Sequence, residues 1–84
     1  MDTGLSTQEL DDLGLARRLV DAGAARGLRE KADVKQAELA RHCGIGRSLC
    51  NHWEAGRRSP NGVAGAKYGG MLRRWLAAKP EPLP

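Results

Sequence analysis

Arg47, Ser48, Asn51 and His52 are the side chains of this 84-residue sequence best placed to do chemistry together. Their spacing, i, i+1, i+4 and i+5, makes one contiguous stripe if the segment is helical. A guanidinium, a hydroxyl, a carboxamide and an imidazole on one stripe form a hydrogen-bonding ridge. Such a ridge suits the edges of bases in the major groove of a duplex, where Arg favours guanine and Asn favours adenine. Leu49 borders the stripe and either meets a thymine methyl or packs inward. His42, Cys43, Cys50 and His52 raise the separate question of zinc. Adjacent His42 and Cys43 point to different faces of a helix, and no C-x2-C pair exists, so no metal is expected. Core thiols and surface imidazoles account for all four. A redox switch between Cys43 and Cys50 is disfavoured in a reducing compartment. Catalysis finds no support either, because Cys50 and His52 diverge by about 200° on a helix. No glycine-rich phosphate loop follows a strand. The chain is expected not to be an enzyme and to use no cofactor.

The stripe needs a helix to carry it and a second helix to brace that one. Residues 36–54, QAELARHCGIGRSLCNHWE, supply both. The first helix is expected over about 35–42, with Leu39, Ala40 and Cys43 inward. Gly44-Ile45-Gly46 is the turn, and Gly44 suits a positive φ. The second helix follows over about 47–55, stopped by Gly56-Arg57-Arg58-Ser59-Pro60. Counted from Gln36, the fifth residue is Ala40, small where two helices meet at a steep crossing. Leu39, Cys43, Ile45, Cys50 and Trp53 are apolar at the wedge positions. This is the sequence form of a helix-turn-helix, which points to sequence-specific binding of duplex DNA.

The remaining elements are also expected to be helical. Ser6-Thr7-Gln8-Glu9 matches a capping box and opens a helix through Leu10, Leu13, Leu15, Leu19 and Val20. Gly14, Gly23 and Gly27 weaken one long helix. Either a break falls near 21–23 or packing holds a longer helix together. A stretch over 22–31 aligns Ala25, Leu28 and Ala32. A last helix covers about 61–78, and residues 79–84 form a proline-rich tail that cannot be helical. β-branched aliphatics are few and Phe is absent, which disfavours an all-β fold. The expected architecture is all-α, a compact bundle of about five short helices containing the helix-turn-helix. Residues 1–22 form an acidic, partly helical extension, 23–78 the helix-turn-helix domain and 79–84 the tail.

Charge is unevenly spread within the net +4. Residues 1–22 carry five acids against two bases, whereas residues 23–84 carry twelve bases against five acids. The basic excess lies on the segment that bears the reading stripe, as a polyanion binder requires. No apolar run approaches a membrane span and no signal pattern opens the chain, so a cytoplasmic location is expected.

Leu28-Arg29, Gln36, Glu38-Leu39-Ala40, Gly44-Ile45, Ser48, Trp53-Glu54, Gly56, Arg58 and Pro60 together resemble the Cro/CI (XRE) family of small helix-turn-helix repressors. The likeness covers about residues 25–76. It implies a lambda-repressor-like DNA-binding domain of phage or bacterial origin, acting in a bacterial or phage-infected cell. It also implies roles for matching positions. Arg47, Ser48, Asn51 and His52 fall at base-reading positions. Gln36 matches a glutamine that contacts a phosphate and braces the reading helix. Lys35, Arg57 and Arg58 flank the two helices where the family grips the DNA backbone. Arg29 and Glu54 match a buried ion pair. The sequence departs from the family pattern at Cys43 and Cys50, which replace aliphatics. It departs again at Gly69-Gly70, expected to interrupt the last helix, and in residues 1–22.

The stripe of Met71, Leu72, Trp75 and Leu76 has two readings, packing on the chain's own core or a homodimer contact. A shared role is favoured, with Leu72 inward and Met71 and Trp75 outward. A dimer would set two reading helices ~34 Å apart on a palindromic operator. Arg73 and Arg74 read as a solvated face. An alternative function on the same fold is an antitoxin or adaptor that binds a protein partner through the leucine-bearing residues 6–20.

Overall fold

A computed structural model of the chain describes residues 4–78. It holds five helices and, among the described residues, no strand: α1 (Thr7–Asp21), α2 (Ala25–Lys31), α3 (Gln36–Cys43), α4 (Arg47–Glu54) and α5 (Gly62–Ala77). The all-α expectation holds. The tail expected over 79–84 lies outside the described residues.

Helix α1 starts as its capping box dictates. The Glu9 amide donates to Ser6 Oγ at 3.1 Å, and the Ser6 amide donates to Glu9 Oε1 at 2.8 Å. The chain breaks after Asp21, where Gly23 takes φ 72°. That resolves the choice between one long helix and two in favour of two. Helices α3 and α4 end on Gly44 and Gly56 in the same left-handed conformation. Helix α2 ends on Asp33 at φ 60°, a residue that tolerates this region better than most. The Val34 amide then reaches back to the Arg29 carbonyl at 3.2 Å and satisfies the helix end.

All five helices contribute to one core. Leu39, Ala40 and Cys43 of α3 meet Cys50 and Trp53 of α4, Tyr68 and Leu72 of α5, Ala16 and Val20 of α1, and Ala25 of α2. With Phe absent, Trp53 and Tyr68 supply the aromatic bulk, their ring centroids 5.2 Å apart and tilted by 52°. Tilted rings at this distance place a positive edge towards a negative face.

Two sequence expectations change here. Gly69-Gly70 does not interrupt the last helix, because α5 runs unbroken from Gly62 to Ala77. The glycines instead let α1 approach. A Cβ on Gly69 would lie 1.8 Å from the Asp12 carbonyl oxygen, and one on Gly65 2.7 Å from Leu13 Cδ1. Nor is Arg73 simply part of a solvated face. Arg73 Nε donates to Asp12 Oδ1 at 2.9 Å across the α1–α5 crossing. Asp12 also accepts from Gln8 Nε2 at 3.0 Å, so this buried carboxylate is compensated. Arg74 is exposed.

Helix α1 packs mainly on α5. Its Leu13, Ala16 and Val20 are buried there, and Leu10 remains 56% exposed. Of the leucines that suggested a docking segment over residues 6–20, Leu13 is buried in the chain's own fold, Leu15 and Leu19 are half-buried and Leu10 is exposed. On α5, Leu72 is buried, Met71 and Trp75 are half-buried against the core, and Leu76 is exposed.

Candidate nucleic-acid interface

The two helices of the candidate interface are crossed and locked at the positions the sequence pattern requires. Ala40 is buried at the contact, Gly44 turns the chain at φ 76°, and the Ile45 amide donates to the Ala40 carbonyl at 3.0 Å. Cys50 and Trp53 fill the far side of the wedge. Cys43 and Cys50 are both free and buried. Burial pushes the Cys43 thiol up to about 11 and the Cys50 thiol up to about 12, so both stay protonated and inert at neutral pH. No group of three or more His, Cys, Asp or Glu residues able to hold a metal ion occurs among the described residues.

The outer face of α4 is polar and open. Arg47, Ser48 and Asn51 are exposed, and with Gln36 of α3 they line one shallow notch. His52, the fourth residue of the stripe, is half-buried and does not line that notch. Its Nδ1 is buried without a hydrogen-bond partner among the described residues. Leu49 is half-buried and packs inward against the core.

Below this face lies a buried ion pair. Arg29 Nη2 donates to Glu54 Oε1 at 3.1 Å, and Arg29 Nε donates to Glu54 Oε2. The side chains are only 9% and 3% exposed. The hydrogen bond to Glu54 raises the pKa of Arg29 further, while Arg29 Nη1 donates to the Val34 carbonyl at 2.8 Å. The pair thus ties α2, its following turn and α4 together.

Gln36 joins the pair to the surface. Its Nε2 donates to Glu54 Oε1 at 3.0 Å and to Asn51 Oδ1 at 3.3 Å. Its Oε1 accepts from Arg47 Nε at 3.4 Å. The sequence suggested that Gln36 braces the second helix, but not that it bonds both Arg47 and Asn51. Lys35, Arg57 and Arg58 are exposed at the ends of the two helices. The Lys35 amide donates to Glu38 Oε1 at 2.9 Å and so fixes the start of α3. Sequence reasoning passed over Ser59 and Asn61, which share a second hollow with Leu49, Trp53 and Arg58. The run Arg58-Ser59-Pro60-Asn61, polar and exposed except for Pro60, was the signal available for them.

A crossed helix pair with an exposed polar stripe, flanked by arginines, defines a helix-turn-helix. Comparison with protein families bears this out: a family described as a helix-turn-helix domain matches residues 22–66, from the end of α1 into α5. The chain belongs to this helix-turn-helix family, of the kind found in XRE-like regulators, which places it among DNA-binding regulators. Comparisons with curated proteins and with solved structures give no match. No helix among the described residues is long and apolar enough to cross a membrane.

Proposed function

We propose that this protein is a sequence-specific transcriptional regulator, a small Cro/CI-like repressor that reads the major groove of its operator with α4. The observation that carries this reading is the open ridge of Arg47, Ser48 and Asn51, set beside Gln36 on a rigid two-helix wedge. Arg47 and Asn51 read bases, with Ser48 beside them. His52 reaches DNA only at the border of the ridge, since it is half-buried. Lys35, Arg57 and Arg58 grip phosphates on either side, and Gln36 holds the reading helix in register. Affinity then comes largely from phosphate neutralisation, and selectivity from α4. Repression follows from covering a promoter, with no catalytic step and no cofactor. The half-exposed Met71 and Trp75, with Leu76 beside them, are the surface through which two copies pair on a palindromic site.

Binding to the DNA upstream of the protein's own gene, measured by fluorescence anisotropy across a salt series, tests the proposal. Arg47→Ala is expected to cost about 1–3 kcal/mol on the operator and little on scrambled duplex. Arg57→Ala is expected to weaken both duplexes alike and to flatten the salt slope. Equal binding of wild type and both variants to operator and scrambled DNA rejects the proposal.

A further inference from the structure

We infer that the buried carboxylate of Glu54 sets the hydrogen-bond polarity of the reading face, so that the preferred half-site carries guanine opposite Asn51 as well as opposite Arg47. This deepens the proposed function and rests on it.

The inference follows from donor and acceptor chemistry along one chain of contacts. Glu54 is buried against the Arg29 guanidinium, which donates to both of its oxygens. An ionised carboxylate only accepts. The Gln36 amide must therefore turn its nitrogen towards Glu54, and it does, at 3.0 Å. That nitrogen carries a second N–H, which points at Asn51 at 3.3 Å. An atom facing a donor must be an acceptor, so Asn51 turns Oδ1 inward. Its Nδ2, with two N–H groups, is left on the outer side. Gln36 Oε1 faces Arg47 and accepts from Nε at 3.4 Å. The two terminal nitrogens of Arg47 remain available as a fork.

The exposed face therefore presents donors at both reading positions. Guanine offers two acceptors, N7 and O6, on its major-groove edge. Adenine offers one acceptor and one donor, and its pairing with a carboxamide needs Oδ1 facing out beside Nδ2. Turning Asn51 over to meet adenine would set its amide nitrogen against the Gln36 nitrogen, donor against donor. Turning Gln36 over to relieve that clash would set Oε1 against the Glu54 carboxylate, acceptor against a buried negative charge. The Gln36–Glu54 contact is part-buried, so an acceptor set against that carboxylate is costly and holds the Gln36 nitrogen towards Asn51, whose own contact with it is exposed. The general preference of Asn for adenine is thus reversed in this chain by a residue that touches no base. Glu54 is a positioning residue here, acting through Gln36.

Selection of binding sites from a random duplex library, read by sequencing, tests the inference. Asn51→Ala first identifies which operator position depends on Asn51. Wild type is expected to select guanine there and guanine at the Arg47 position. Gln36→Ala releases Oδ1 and is expected to shift the Asn51 position towards adenine by about tenfold, while the Arg47 position stays guanine. Helical circular dichroism establishes that the variant is folded. Adenine at the Asn51 position in the wild type overturns the inference by itself, whether or not the variant folds. So does a folded Gln36→Ala protein that keeps guanine there. A wild type that selects no sequence at all counts instead against the DNA-reading proposal.

Discussion

Buried ionisable side chains give this small core its sharpest constraints. Glu54 fixes the orientation of the Gln36 amide because a carboxylate beside a guanidinium can only accept. The two thiols act differently, through the cost of ionising them. Cys43 and Cys50 are 4% and 0% exposed, and burial holds their pKa values at about 11 and about 12, above the ordinary 9.0. Between pH 9 and pH 11 the unfolded chain loses thiol protons that the folded chain keeps. Their contribution to stability is therefore complete below about pH 9 and falls as pH rises, by up to about 1.4 kcal/mol per pH unit for each thiol. Urea unfolding at a series of alkaline pH values should show this decline. A variant carrying Cys43→Val and Cys50→Val should show a shallower one, and an unchanged slope would contradict the assignment.

At the scale of elements, the crossing of α1 over α5 is the contact least tolerant of change. Gly69 lets the α1 backbone at Asp12 settle on α5, Gly65 one turn earlier makes room for the Leu13 side chain, and Arg73 reaches over to Asp12. Gly69→Ala would put a methyl group 1.8 Å from a carbonyl oxygen of the neighbouring helix, so the helices must move apart. The expected loss is about 3 kcal/mol, at the upper end of overpacking penalties, despite the better helix propensity of Ala. Thermal and urea unfolding measure it directly. A neutral or stabilised variant would show that the close approach is not required.

This crossing also marks the limit of what the sequence discloses. The helix-turn-helix is legible because its signals are local. Ala40, Gly44 and Cys50 lie within a few turns of one another, and the Ser6–Glu9 cap lies within one turn. The α1–α5 contact joins Asp12 to Arg73, 61 residues away, and no local pattern announces it. Its one legible trace was Gly69-Gly70, which reads as an interruption of the last helix until the partner helix is in place. The polar face of α4 was legible in composition, but the orientation of its side-chain amides was not. Which atom Asn51 turns outward depends on Gln36 and Glu54, and side-chain spacing alone does not carry that information.

Over the whole molecule, charge and packing are organised together. The acidic helix α1 packs on α5, while the stripe of Arg47, Ser48 and Asn51 stands on the α3–α4 wedge, flanked by Arg57 and Arg58. Residues 7–21 are part of the same packed body as the helix-turn-helix, through Leu13, Ala16 and Val20. In the proposed function this uneven charge turns the basic side towards a polyanion before contact. Dimethyl sulfate footprinting on the selected operator tests most directly whether α4 then enters the major groove, because the reagent methylates guanine N7 in that groove and adenine N3 in the other. Wild type is predicted to protect guanine N7, with Arg47→Ala losing protection at one position and adenine N3 unchanged throughout. Bound operator with every guanine N7 still reactive, or with protection confined to adenine N3, would contradict it.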